Sequence, residues 1–254
     1  MHSNDAREGC GLCRDAAPLD FDFSYAFQPI VDVSTREVFA HEALVRGPKG
    51  EPAPSVLSRI TDANRYQFDQ ACRGKAIEIA ARLDMRSKLS INFLPNAIYR
   101  PELCIRSTLV AARQHGFPIH QIIFETVEGE QVNDGKWLSE VLLEYQRIGF
   151  LTAIDDFGAG FAGLNLLADF QPDIVKLDMA LVRGIDANKP RRAIVAGVSA
   201  MCRELGIRVI GEGIETEDEM RCLRDLGIDL MQGYWFGRPQ FEATSPGEVV
   251  PWPS

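Results

Sequence analysis

The chain has no long apolar run. Nothing in its 254 residues approaches the roughly 18 consecutive apolar positions of a membrane span. The N-terminus, with Asp5, Arg7 and Glu8, also lacks the apolar core of a secretory signal, so no membrane association is expected. Basic charge is in deficit: 27 Lys plus Arg stand against 36 Asp plus Glu, for a formal net charge of -9. That balance argues against a broad groove for a nucleic-acid polymer, which would want a basic face. An anionic small ligand stays admissible where metal ions and a few local cations receive it. Cysteine is sparse and unpatterned. The six, at 10, 13, 72, 104, 202 and 222, show no secreted-scaffold spacing, and a reducing cytoplasmic setting fits them best. Cys10 and Cys13 form a lone C-x-x-C in a polar tail, with no second pair to finish a zinc site. No internal repeat of fixed period is evident.

What is present is enough apolar sequence, 46%, to bury a substantial core, in one large α/β barrel or two smaller domains. Residues 1–22 read as a flexible tail and 23–254 as the folded part. YAFQPIVDV at 25–33 and the run at 37–45 are strand candidates separated by a short turn, hence most simply an antiparallel pair. Helical periodicity follows at 55–62 and 66–83. Strand and helix then alternate: strands at 89–92, 122–125, 151–156, 173–178, 208–212 and 229–233, with helices near 101–115, 136–148, 163–169 and 189–205. A last helix is opened by Thr216, with Glu219 three residues later as a capping box. Eight strands with right-handed crossovers predict a (β/α)8 TIM-like barrel whose first strand is antiparallel. Leu138, Leu142 and Tyr145 read as core.

The chain is organised around LTAIDDFGAGFAG at 151–163, where a buried-strand signal runs into Asp155 and Asp156 and a glycine loop. Two adjacent carboxylates resist desolvation and need a compensating partner, for which a cation is the obvious candidate. The plainer reading is that they cap a helix starting near Phe161. Gly158, Gly160 and Gly163, with Asp178 about 20 residues on, also fit a dinucleotide fingerprint. Against that, the two acids would set negative charge beside a pyrophosphate.

Successive apolar runs end in a metal-competent or charged group: Asn92, Glu125, Asp155 with Asp156, Lys176 with Asp178, Glu212, and Gln232. In a barrel those ends open onto one face, the face that carries active sites. The donors are carboxylate and amide oxygens with no histidine or cysteine among them, which suits Mg²⁺, Mn²⁺ or Ca²⁺ better than zinc. So many acids are too much charge for one ion. Two ions sharing a carboxylate would clamp the attacking and leaving oxygens of a displacement at phosphorus, which points to phosphoester hydrolysis. Lys176 and Asp178, two apart on a strand, are expected on one side. Lys176 either holds a water or phosphate oxygen or makes a salt bridge to Asp155 or Asp156. Arg46 is either a phosphate fork or a solvated loop charge.

With these residues placed, the chain resembles the EAL-domain family of bacterial cyclic di-GMP phosphodiesterases. The name motif stands as Glu42, Ala43 and Leu44, followed by Val45 and Arg46. SINFLP around Asn92, FETVE with Glu125 and Glu128, DDFGAG, the K-x-D of Lys176 and Asp178, GEGIET with Glu212 and Glu215, and QGYWFGRP with Gln232 complete seven ordered motifs over about residues 25–240. Departures are mild: Ala159 where the family often has Thr, Leu94 where it often has Ser, and Thr126 and Val127 in reversed order.

The resemblance implies a barrel that binds two Mg²⁺ or Mn²⁺ ions and opens cyclic di-GMP to linear pGpG. By position, Glu42, Asn92, Glu125 and Asp155 would hold one ion, with Asp155 bridging to a second near Asp156 and Glu212. Lys176 and Glu212 would contact or activate the water, with the identity of the base left open. Gln28, Arg46, Asp178, Glu215 and Gln232 would shape nucleotide and phosphate contacts. Glu128 would brace the glycine loop at 156–160, which in this family lies near the dimer interface and couples pairing to metal binding. A homodimer is therefore expected, with control by a separate regulatory protein. The rival reading is an EAL-like barrel that senses the nucleotide or grips a protein without turnover. Retention of all the strand-end acids favours the enzyme.

Overall fold

A computed structural model describes residues 19–98, 100–127, 135–159 and 163–244. Strands β1 (Ser24–Asp32) and β2 (Glu37–Arg46) pair antiparallel, because the turn between them is too short for any crossover. Asp32 accepts the amides of Ser34 and Thr35 and so closes that turn. After α1 (Pro54–Leu57) and α2 (Arg65–Arg82), parallel strands alternate with helices. The strands are β3 (Lys88–Asn92), β4 (Ile122–Val127), β5 (Leu151–Phe157), β6 (Ile174–Leu177), β7 (Arg208–Gly211) and β8 (Leu230–Gln232). The helices between them are α3 (Pro101–Cys104), α4 (Arg106–His115), α5 (Gly135–Ile148), α6 (Gly163–Asp169), α7 (Met179–Val182), α8 (Lys189–Glu204) and α9 (Glu217–Asp225). The order β2-β3-β4-β5-β6-β7-β8-β1, with β1 paired back to β2, closes an eight-stranded barrel whose first strand is antiparallel to both neighbours.

Most elements fall where periodicity puts them, and the differences have local causes. The 101–115 helix is interrupted at Ile105. Strand β5 runs on to Phe157, so Asp155 and Asp156 lie within it, and α6 begins at Gly163. β6 stops at Leu177, so Asp178 does not share a strand face with Lys176. Its side chain instead turns to accept the Ala180 amide and caps α7, a competition Asp often wins at a strand end. A short strand unseen in the sequence, β9 (Gln240–Phe241), adds to β1 at Ala26 and Phe27. The expected core residues Leu138, Leu142 and Tyr145 are buried. No helix among the described residues is long and apolar enough to cross a membrane.

The interior of the barrel explains where the polar residues stand. Ile30, Ala40, Ile123, Ala153, Ile174, Ile210 and Leu230 form one buried cluster, each from a different strand. A strand returns to the same face every second residue. Two positions nearer the mouth stand Gln28, Glu42, Glu125, Asp155, Lys176 and Gln232 on those strands, with Glu212 one residue past the end of β7. On β3 the corresponding pair is Ser90 and Asn92. A dry apolar plug thus carries a ring of polar groups directly above it. Two larger clusters fill the space between barrel and helices, one around β1–β4 with α2 and α5, the other around β5–β8 with α8 and α9.

At the mouth, the loop after β8 lies backbone to backbone on the loop after β7. Ile214 N donates to Gln232 O at 3.1 Å and Trp235 N to Ile214 O at 3.0 Å. A Cβ on Gly233 would collide with the backbone nitrogen and oxygen of Ile214, which cannot yield as a side chain would. Gly233→Ala should therefore lower unfolding stability by about 3 kcal/mol in a urea titration. An unchanged midpoint would show that the two loops can separate freely.

Candidate metal centre

The ring of polar groups is centred on Lys176. β6 is buried along its whole length, Lys176 included, and the ammonium of this residue lies among the acids of the barrel mouth. There Nζ lies 2.8 Å from Glu212, 3.0 Å from Asp155, 3.1 Å from Glu125 and 3.5 Å from Glu42. The salt bridge anticipated for Lys176 is real and extends to three more acids than Asp155 alone. Asp156 is not among its ion-pair partners.

Three of these acids, Glu42, Glu125 and Asp155, have further partners. Glu42 accepts from Asn92 Nδ2 at 3.0 Å and from Gln232 Nε2 at 2.7 Å. Gln232 Nε2 also reaches Gln28 Oε1 at 3.3 Å, and Gln28 Nε2 donates to the Gly237 carbonyl at 3.2 Å. Glu125 accepts from Ser90, a residue the sequence reading passed over although it precedes Asn92 by one strand period. The Asp156 amide donates to Asp155 Oδ1 at 3.0 Å. Asp156 itself takes a left-handed backbone, φ 54°, which costs about 1 kcal/mol in a residue with a Cβ. That conformation lets two successive carboxylates serve one site instead of pointing to opposite faces.

One lysine does not neutralise this cup. Burial, then the neighbouring Glu42 and Asp155, push the Glu125 carboxyl up to about 8 despite Lys176 and Ser90. Burial likewise raises Glu212 well above the usual carboxylate range. Asp156 is raised by burial and by Asp155 and Asp178. Burial alone would lower the Lys176 ammonium, but Glu125, Glu212, Glu42 and Asp155 outweigh it and hold its pKa well above normal. Such a site favours added positive charge. The donors are arranged for it: one oxygen each of Glu42, Glu125 and Asp155 lie within 4.8 Å of one another, and so do those of Asp155, Asp156 and Glu212. Asp155 belongs to both sets. All are hard oxygen donors, so the residues fit divalent cations of the Mg²⁺, Mn²⁺ or Ca²⁺ type.

The remaining residues of the expected site lie around this cup. Arg46 lines an adjoining cavity of about 690 Å³ with Leu44, Leu57, Phe68, Asn92 and Phe93, and bonds the Val45 carbonyl at 2.8 Å. It makes no salt bridge among the described residues. Asp178 is close enough to raise Asp156 but spends one oxygen on its helix cap. Glu215 pairs with Arg183 at the rim. Glu128, Gly160 and Phe161, and the pair Cys10 and Cys13, lie outside the described residues.

The loop that follows Glu212 is held by Glu219, the predicted capping-box acid. Its carboxylate accepts Gly184 N at 2.8 Å, Glu215 N at 2.9 Å and Thr216 N at 3.1 Å, tying two mouth loops together. Burial would raise its pKa, but those backbone donors prevail and lower it.

Fold and donor set together define an α/β-barrel protein with an acidic mouth whose oxygens could hold a metal ion. A family model described as the EAL domain matches residues 15–239, and the chain belongs to that family. It is 31% identical over 230 residues to the blue light- and temperature-regulated antirepressor BluF of Escherichia coli K12, covering 90% of this chain and 56% of BluF. It is 27% identical to the probable cyclic di-GMP phosphodiesterase PdeN of the same organism, covering 85% of this chain and 43% of PdeN. The chain thus spans about half the length of these curated relatives. Among solved structures, a standalone versatile EAL protein from Vibrio cholerae O395 with bound c-di-GMP is 53% identical. Its TM-score is 0.86, with 89% of this chain and 95% of that one covered. Klebsiella pneumoniae BlrP1 in a manganese/cy-diGMP complex is 35% identical, with TM-score 0.82 and coverage of 89% and 58%.

Two outcomes follow from the electrostatics. Lys176→Met strips the buried acids of their counter-charge, so in chelator it should cost about 3 kcal/mol of unfolding stability. Urea titration with and without Mn²⁺ checks this, and the deficit should shrink when the ion is added. Glu219→Gln should cost about 1 kcal/mol at pH 7. Because the folded pKa of Glu219 is depressed, its contribution is present above the unfolded pKa and is lost as pH falls through the folded value. The difference between variant and parent should therefore close in acid melts below the ordinary glutamate pKa.

Proposed function

We propose that the protein is a metal-dependent phosphodiesterase that hydrolyses cyclic di-GMP to linear pGpG in the cytoplasm, as a homodimer controlled by a separate protein. The observation that carries this reading is the pair of carboxylate sets sharing Asp155 at the barrel mouth. c-di-GMP bound to similar EAL structures, in one case with manganese, supports the choice of substrate and ion.

On this reading Glu42, Asn92, Glu125 and Asp155 hold one Mg²⁺ or Mn²⁺, and Asp155, Asp156 and Glu212 hold a second. Such a pair supplies charge neutralisation and Lewis acidity toward the phosphodiester. Glu212 and Lys176, 2.8 Å apart, hold the attacking water, with Glu212 accepting its proton and Lys176 steadying the oxygen. The water oxygen bonds to phosphorus as one P–O3′ bond breaks, and the proton that Glu212 took from the water ends on the departing ribose oxygen. Arg46 forks a phosphate. Gln28, Asp178, Glu215 and Gln232 position the nucleotide, and the mainly apolar cavity beside Arg46 suits the face of a purine base. Glu128 braces the glycine loop.

Similarity to an antirepressor favours one alternative, an EAL-like barrel that senses the nucleotide or grips a protein partner without turnover. Chromatography of cyclic di-GMP incubated with Mg²⁺ or Mn²⁺ decides between them. The enzyme should release pGpG, and Glu42→Ala should reduce that release by about a hundredfold or more. Tight nucleotide binding with no product under either ion would establish the non-hydrolytic barrel instead.

A further inference from the structure

A buried ion pair lies behind the metal cup, on the far side of the barrel wall. Arg73 and Asp69, on α2, are both essentially inaccessible, at 0% and 1% exposure. Arg73 Nη2 donates to Asp69 Oδ2 at 2.6 Å, and Nη1 donates to the Tyr145 hydroxyl of α5 at 2.8 Å. The other Asp69 oxygen accepts the Leu94 amide at 3.0 Å. The guanidinium also stands over three rings, with centroids at 5.2 Å for Phe124, 5.6 Å for Phe93 and 5.7 Å for Tyr145.

The identity of those rings matters. Phe93 directly follows Asn92, and Phe124 directly precedes Glu125. Neighbours along a strand face opposite sides, so each ring is the outward partner of an inward cation donor. The Phe93 amide also donates to the Glu125 carbonyl at 3.0 Å, linking the two strand ends. One buried cation therefore grips the outer side of both strand ends whose inner side forms a wall of the cup, and Asp69 holds the next amide, Leu94.

An apolar trio would fill this space at lower desolvation cost, since a buried ion pair is weak as a source of stability. What it supplies is direction: a fork of donors and an anion fix angles that packing leaves loose. We infer that Asp69, Arg73 and Tyr145 form a positioning unit for the metal cup, setting where Asn92 and Glu125 stand through Phe93, Phe124 and Leu94.

The inference rests on the metal reading of the cup, and its test separates the two. Mn²⁺ binding is measured by isothermal titration without nucleotide, well below the melting temperature, for the unaltered full chain and for three variants. In Asp69→Leu/Arg73→Met, apolar side chains replace the ion pair. The fold should persist while Mn²⁺ affinity falls about tenfold. Arg73→Lys keeps the charge but not the fork, and should give a smaller loss in the same direction. Ile77→Ala, a buried change on the same helix outside the unit, should lower the melting temperature and leave Mn²⁺ affinity as it was. Unchanged affinity in both the paired variant and Arg73→Lys would overturn the inference, as would an equal loss in Ile77→Ala. No uptake of Mn²⁺ by the unaltered chain would overturn the metal reading itself.

Discussion

The constraint on which this molecule turns is the repulsion among acids that the barrel forces together. Glu42, Glu125, Asp155 and Glu212 all approach one ammonium within 3.5 Å. Two like charges about 4 Å apart oppose each other by about 4 kcal/mol even at the screening typical of a protein surface, and more when buried. Lys176 relieves part of that opposition and raised carboxyl proton affinities relieve more, but both responses leave a site that gains from further cations. These acids could thus form a metal site. The strain at Asp156 belongs to the same account, since a left-handed residue persists only where its surroundings hold it there.

The rest of the fold serves to keep the acids from escaping that arrangement. Beneath them, the apolar layer from Ile30 to Leu230 excludes water and denies the carboxylates any route downward. Above, Gly233 and Ile214 join neighbouring loops backbone to backbone, and Glu219 ties the Ile214 loop, through the Glu215 and Thr216 amides, to a third loop through the Gly184 amide. Outside the wall, Arg73 and Asp69 sit where helix and strand ends meet. The geometry of the cup depends on this outer material as much as on the acids themselves, because a side chain is only as well placed as the strand end that carries it.

Much of this was legible from residue patterns. The antiparallel opening pair follows from its short turn, and alternation of strand and helix fixes a barrel of eight strands. A polar group at the end of each apolar run marks the mouth. Family motifs add the assignment of Glu42, which no local pattern singles out. What escaped was of two kinds. Asp178 was placed on a strand it does not join, because a helix cap competes with the strand for the same residue. Ser90 and the pair Asp69 and Arg73 were passed over. Ser90 follows the two-residue period and was findable, whereas nothing in a helical segment marks a buried arginine.

The sequence by itself determined the order of the strands, the residues at their mouth ends and the hard-oxygen character of that end, because each is a matter of local periodicity and donor chemistry. Only tertiary structure decided that Lys176 would meet four acids, that Asp155 would belong to two donor sets and that Arg73 would lie behind Asn92 and Glu125. Those facts depend on barrel closure and register, which bring residues from separate strands and helices to within a few ångströms. No one-dimensional pattern encodes a distance between residues that far apart along the chain.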